Sequence, residues 1–136
     1  MLPSIDIEEL AEADCLELLR AEPVGRLVFT ERALPAIRPV NFVLDGHDVV
    51  VRSAPGSWAD RLGGSIVAFE VDRIDPATHT GWSVVVLGKV ATVTDVDTLV
   101  RLSDPRHRPW APGRHDRYLR IRPGTITGRR LALGRN

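Results

Sequence analysis

One cysteine, one lysine and seven aromatic residues in a chain of 136 set the first limits. Cys15 has no partner for an internal disulfide, which excludes a cross-linked secreted scaffold and fits a reducing cytoplasm. No apolar run approaches the roughly 20 residues of a membrane-spanning helix, so no membrane partner is expected. The start, Met1-Leu-Pro-Ser-Ile-Asp6, has neither a basic region nor an apolar core, and secretion is not expected. There is no G-x-S-x-G, Walker A or G-x-G-x-x-G pattern, which leaves a hydrolase elbow, a P-loop and a dinucleotide fingerprint unsupported. His47, His79, His107 and His115 lack metal-ligand spacing, and no metal is expected.

What charge there is balances to zero but is unevenly spread. Residues 1–22 hold seven acids and one base, Arg20, whereas residues 101–136 hold ten arginines against Asp104 and Asp116. Such a basic end is a candidate for nucleic acid or an anionic ligand. It lacks the interleaved aromatics of a single-strand binder, and no nucleic-acid partner is expected. Seventeen arginines beside Lys89 also read partly as G+C-rich coding, which weakens any argument from arginine number.

The length suits one domain, residues 1–136. Residues 5–22 read as an amphipathic helix, with Ile7, Ala11, Cys15 and Leu18 on one face, acids in its first turns, Ser4 or Asp6 as cap and Pro23 as its end. Strands are expected at Val24–Thr30, Ala36–Leu44, His47–Arg52, Ser65–Ile74 and Gly81–Thr94, with Tyr118–Arg122 and Thr125–Leu133 as a closing pair. Asp45-Gly46 is a tight-turn signal. Short helices are expected at Ser57–Leu62 and from Asp95 or Asp97 to Leu102. Six or seven strands on short turns argue for a mainly β, antiparallel barrel. Pro39 cannot donate to a ladder, so its strand is either bulged there or at an edge.

Chemistry gathers at two places. Val51-Arg-Ser-Ala-Pro-Gly-Ser-Trp58, continuing to Arg61, is a strand running into a small-residue turn and a short helix. That layout brings Arg52, Ser53, Ser57 and Arg61 near free backbone N–H groups, as a phosphate requires. Equally, Arg52 and Arg61 are candidates for surface pairing with Asp48 or Asp60. Gly81-Trp-Ser83 opens a long strand on which Trp82 and Ser83 can flank a flat ligand, although core is the ordinary fate of Trp82. Phosphate cradle and strand wall together suggest a flavin-type cofactor. The edge at Arg38-Pro-Val-Asn-Phe42 offers N–H and C=O groups for a ring edge, with the Asn41 amide beside them. Alternatively, Val40 and Phe42 are core and Arg38 is solvated. Trp110, in Pro-Trp-Ala-Pro, is a candidate pocket lid.

Several pieces in order resemble the pyridoxamine 5′-phosphate oxidase-like, FMN-binding split-barrel family, in particular its short bacterial branch with nitroimidazole-reductase-like members. They are Val24-Gly-Arg-Leu-Val-Phe29, Arg38-Pro-Val-Asn-Phe42, Val51-Arg-Ser-Ala-Pro-Gly-Ser57, Val67-Ala-Phe-Glu-Val-Asp72, Gly81-Trp-Ser-Val84 with Gly88, Pro109-Trp-Ala-Pro-Gly113 and Arg120-Ile-Arg-Pro123. The resemblance implies a six-stranded antiparallel split β-barrel with an N-terminal helix and short connecting helices. It also implies a homodimer with two cofactors at the subunit interface. Pro39–Asn41 would lie along the ring, Arg52, Ser53 and Ser57 would hold the phosphate, and Trp82 and Ser83 would approach from either subunit. Similar sequences commonly carry a lysine after the Gly-Ser of the phosphate loop, where this chain has Trp58, and Arg61 is expected to replace it. FMN is the expected cofactor, with the deazaflavin coenzyme or haem as alternatives. The expected activity is oxidoreduction of a small molecule through that cofactor, or non-catalytic binding of it.

Overall fold

The computed structural model describes residues 5–54, 56–102 and 117–133. Among them run β1 Ile5–Leu10, α1 Glu12–Arg20, β2 Val24–Glu31, β3 Leu34–Asp45, β4 Asp48–Ser53, β5 Ile66–Asp75, β6 Thr80–Thr92, α2 Val96–Leu102 and β7 Arg117–Leu133. A single 3-10 turn, Trp58–Arg61, follows β4. The strand order is β1-β7-β4-β3-β2-β5-β6, and β6 also pairs with β7. That extra pairing closes β2 to β7 into a ring of six, with β1 attached outside it. The fold is thus the expected mainly β barrel, with seven strands rather than six.

β7 makes the closure. Its first residues, Arg117–Ile121, pair with β4, its last, Gly128–Leu133, pair with β1, and almost its whole length pairs with β6. Pro123-Gly124 signals a turn in sequence, and two strands were expected there. Instead, the β6 register shifts between Leu87 and Gly88, so that Leu87 faces Thr125 and Gly88 faces Pro123. Gly124 is absorbed as a bulge, and the strand bends without breaking.

The N-terminus also differs from expectation. Ile5–Leu10 is a strand on β7, and the helix begins only at Glu12. Its cap position is Ala11, with no side-chain cap, while Asp6 lies in the strand; Ser4 is outside the described residues. The sequence Ile-Asp-Ile-Glu alternates as well as it follows a helical period, and the free edge of β7 decides between them. That edge cannot be seen from local sequence.

Alternation drives the core. Leu27 and Phe29 of β2, Val67, Phe69 and Val71 of β5, and Val84, Val86 and Val90 of β6 are buried inside the ring. Each large aliphatic or aromatic side chain contributes about 1.5–3 kcal/mol of burial. Helix α1 turns Cys15, Leu16 and Leu19 onto the barrel. Burial, and then Asp14, raise the Cys15 pKa, which suits a packing role for this buried thiol. Two glycines make room inside: a Cβ on Gly25 would lie 2.3 Å from Phe69 Cζ, and one on Gly128 would lie 2.5 Å from Cys15 Sγ.

The ring is weakly joined at one seam. β3 and β4 pair only from Phe42↔Val51 to Asp45↔Asp48, around the expected turn at Gly46. Before Phe42, β3 is paired on its β2 side alone, so Pro39 lies at an edge and its missing N–H breaks no ladder.

Candidate functional site

Beyond Phe42↔Val51 the two strands part. β3 carries Asn41, Val40, Pro39 and Arg38 along one side of the opening. β4 carries Arg52 and Ser53 along the other, still paired with Tyr118 and Arg117 of β7. The seam therefore sets the segment read as a ring edge across from the segment read as a phosphate holder. Val40 is buried, Asn41 half-buried, and Pro39 and Arg38 exposed. The Asn41 amide and the Arg38 guanidinium have no hydrogen-bond or ion-pair partner among the described residues.

Arg52 is half-buried, with its Cζ 5.9 Å from the centre of the Tyr118 ring. The Tyr118 hydroxyl donates to the Leu102 carbonyl at 3.2 Å, which fixes the ring on which Arg52 lies. No carboxylate pairs with Arg52 among the described residues. Next to it, the Ser53 hydroxyl is buried without a hydrogen-bond partner, the one such side-chain atom among the described residues. An unmade bond of this kind costs about 1–3 kcal/mol, and a ligand acceptor would recover it.

The loop then turns through Gly56, at φ 77°, where a side chain would be strained. Ser57 caps the 3-10 turn by accepting from the Ala59 N–H at 3.3 Å, which leaves its own hydroxyl hydrogen to donate outward. Asp60 reaches back and accepts from the Gly56 N–H at 2.6 Å, with Arg117 Nη1 3.9 Å from its other oxygen. Trp58 stacks on Phe29 at 5.0 Å and 8° between planes, against the barrel wall. Arg61, read as the replacement for the lysine, donates to Glu31 at 2.6 Å. The structure thus gathers Arg52, Ser53 and Ser57, and directs Arg61 toward the end of β2.

Trp82 and Ser83 lie elsewhere. β6 runs from Trp82, opposite Arg130, to Thr92, opposite Leu119. At about 3.3 Å per residue, roughly 30 Å of strand separates Trp82 from the Arg52 end. Trp82 is buried at the rim of two grooves of about 540 and 610 Å³ that share Arg73 and Arg130. One chain therefore does not bring Trp82 and Ser83 to Arg52. Trp110, His107 and His115 lie outside the described residues, as does Pro55.

The sequence reading did not foresee three contacts: Tyr118 under Arg52, Phe29 under Trp58 and Asp60 on the Gly56 N–H. The first two join residues far apart in sequence. The third carried a signal, a carboxylate four residues after a glycine in a turn.

With this geometry in place, comparison with known proteins is decisive for the family. The family model described as pyridoxamine 5′-phosphate oxidase matches residues 11–130. The chain belongs to that family. The uncharacterized protein Rv0080 of Mycobacterium tuberculosis is 40% identical over 134 residues, covering 93% of this chain and 86% of that protein. Among solved structures, the FAD binding protein from Mycobacterium smegmatis is 31% identical with a TM-score of 0.72, over 92% of this chain and 98% of that one. A conserved protein of unknown function from Corynebacterium diphtheriae is 35% identical with a TM-score of 0.76, over 93% and 98%. The family's split-barrel architecture matches the ring and seam described above. Among the described residues, no helix is long and apolar enough to cross a membrane.

Proposed function

We propose that this protein binds a phosphorylated flavin in the β3–β4 seam and serves as an oxidoreductase toward a small molecule. The observation that carries this reading is the buried Ser53 hydroxyl next in sequence to Arg52, neither of which has a hydrogen-bond or carboxylate partner among the described residues. A phosphate at the end of β4 offers several acceptors, one oxygen for the hydroxyl and another for the guanidinium fork. The Ser57 hydroxyl adds a third donor. Likeness to the FAD-binding M. smegmatis protein supports the same reading. FMN and FAD share the ring and its first phosphate, so these donors serve either.

When bound, the flavin supplies the hydride or electron transfer, and the chain supplies position and surroundings. Pro39 leaves the β3 edge open, and the backbone of residues 39–41 with the Asn41 amide would orient the ring edge. Buried Val40 and Phe42 back the same segment and exclude water from behind it. Haem, by contrast, requires an axial ligand, and the described histidines, His47 and His79, are exposed in turns.

The reading includes a homodimer. Ile37, Val28, Ala68 and Leu87 form one cross-strand row on the outer face of β3, β2, β5 and β6, in which Ile37 is 61% and Leu87 46% exposed. An apolar row of this kind suits burial against a second copy. A second chain would also provide the Trp82 and Ser83 that one chain holds apart from Arg52. The absorbance spectrum of the purified protein, followed by mass identification of whatever denaturation releases, tests the cofactor. A flavin spectrum is expected, and a haem Soret band would replace this reading. Sedimentation equilibrium tests the dimer, and a stable folded monomer would contradict it.

A further inference from the structure

We infer that two copies of this chain dock on a two-fold axis running along the strands between β2 and β5, registered by Arg26 of each copy against Glu70 of the other. This rests on the homodimer reading above and gives it a geometry. On the outer face of β3, β2, β5 and β6, two cross-strand rows lie side by side. One is the apolar row through Ile37, Val28, Ala68 and Leu87. The next holds Pro39, Arg26, Glu70 and Val85. Two residues further along, Asn41 lies on β3, and Ser83 lies on β6 opposite Asp72. Arg26 bonds Glu70 and Asp72 through the same nitrogen, Nη1. Its Nη2 and Nε have no partner among the described residues, and its side chain is 54% exposed. The guanidinium therefore has donors left for an acceptor on another molecule.

Symmetry then selects the axis. A two-fold across the strands sets every strand on its own copy. Arg26 then meets Arg26 and Glu70 meets Glu70 or, with the axis on the apolar row, these charges meet Thr30 and Ile66. An axis along β2 itself, or along β5 itself, also sets one charge on its own copy. Of these axes, only the one between β2 and β5 sets β2 on the partner's β5 and opposite charge on opposite charge. Rows then match rows. Val28 meets the partner's Ala68, Arg26 the partner's Glu70, Pro39 the partner's Val85, and Asn41 the partner's Ser83. Each cluster holds one carboxyl more than it has arginines. Glu70 eases this excess, because burial, and then its hydrogen bond with Asp72, let it hold a proton more readily than an ordinary glutamate. The outside of a barrel is convex, so contact is closest at β2 and β5 and opens into a cleft on either side. Residues 39–41 of one copy form one wall of each cleft, beside the β3–β4 seam, and the partner's Ser83 stands on the other.

The test is subunit exchange with a swapped chain that carries Arg26→Glu and Glu70→Arg together. The swap keeps the ion pair within each chain, and the melting temperature checks that the fold holds. It also keeps the pair across the axis when two swapped chains meet, and they should form a dimer of their own. In a mixed dimer, by contrast, arginine meets arginine and glutamate meets glutamate. Wild-type and swapped chains with different tags are mixed, left to exchange and weighed by native mass spectrometry. Random pairing gives about half mixed dimers, and less than about one tenth is expected here. Chains with Arg26→Glu alone and with Glu70→Arg alone should each be monomeric and should dimerise when mixed, which decides the matter if the swapped chain does not fold. Mixed dimers at the random fraction would overturn the inference and leave the homodimer reading standing. So would a swapped chain that folds and stays a monomer. A monomeric wild type would overturn both.

Discussion

Two arginines on the β4–β7 ladder have opposite surroundings. Arg120, opposite Val50, donates to Asp48 at 2.8 Å and to Asp45 at 2.6 Å, and Arg101 adds a bond to Asp45 at 3.0 Å. Burial works against its charge, but the two carboxylates more than offset this, and its pKa is raised. Arg52, two residues along on the facing strand, has an aromatic ring and, among the described residues, no carboxylate. Its neighbour Ser53 carries a buried hydroxyl with no partner among the same residues. At the β3–β4 turn every charge is answered within the chain, and the cluster staples the seam shut. At the open end the charge and the hydroxyl have no such partner among the described residues. Completed polar groups mark structure, and incomplete ones mark a site.

Replacing the two arginines should separate these roles. Arg120→Leu leaves Asp48 without its cation and Asp45 with Arg101 alone. It should cost about 3 kcal/mol of stability in urea unfolding, as expected when one partner of a largely buried pair is removed. Flavin affinity of the folded fraction should hold. Arg52→Ala should do the reverse, weakening flavin binding by about 2 kcal/mol, roughly thirtyfold, with little change in melting temperature. If Arg52→Ala unfolds the protein and leaves affinity intact, the contrast between the two arginines collapses.

Smaller effects sharpen it. Trp58→Lys gives up the Phe29 stack and should cost about 1 kcal/mol of stability. It also supplies a point charge at the loop and should tighten FMN binding, which a paired thermal and calorimetric measurement would show. On the outer face, Arg26 bonds Glu70 at 2.7 Å and Asp72 at 2.9 Å. Burial, and then the hydrogen bond with Asp72, raise the Glu70 pKa, while the hydrogen bond with Glu70, and then Arg26, lower that of Asp72. A raised carboxyl stabilises the fold below its unfolded pKa of about 4.3 and loses that contribution as pH rises through its folded value. A lowered one stabilises above its unfolded value and loses that as pH falls. Glu70→Gln should therefore raise the melting temperature slightly at pH 7 and lose the advantage at pH 4. An equal or larger advantage at pH 4 would refute the assignment.

Local pattern carried much of this fold. Alternating Val, Leu and Phe placed the strands, Asp45-Gly46 placed a turn, and Pro39 narrowed its strand to a bulge or an edge, of which the structure shows the edge. Sequence failed where long-range pairing decided. Ile5–Leu10 became a strand because β7 offers an edge, and Pro123-Gly124 became a bulge because β6 holds both sides of it. The strands on either side of Arg32 and Ala33 were anticipated, but not that both residues take positive φ, 52° and 65°, without a glycine. The placement of Arg52, Ser53 and Ser57 along one strand end and turn was legible because strand, small residues and turn are contiguous. The positions of Trp58 and Arg61 were not, since each is set by a residue of β2, Phe29 or Glu31, more than 25 positions away.

The central claim is that Arg52 and Ser53 are left incomplete in order to hold a phosphate. The direct measurement is a titration of flavin-free wild type and Arg52→Ala with FAD and with riboflavin, which has the ring and no phosphate. The account predicts that the wild type binds FAD at least tenfold more tightly than riboflavin, and that Arg52→Ala removes most of this advantage while riboflavin affinity stays the same. Equal affinity for the two ligands in the wild type, or an advantage untouched by Arg52→Ala, would contradict it.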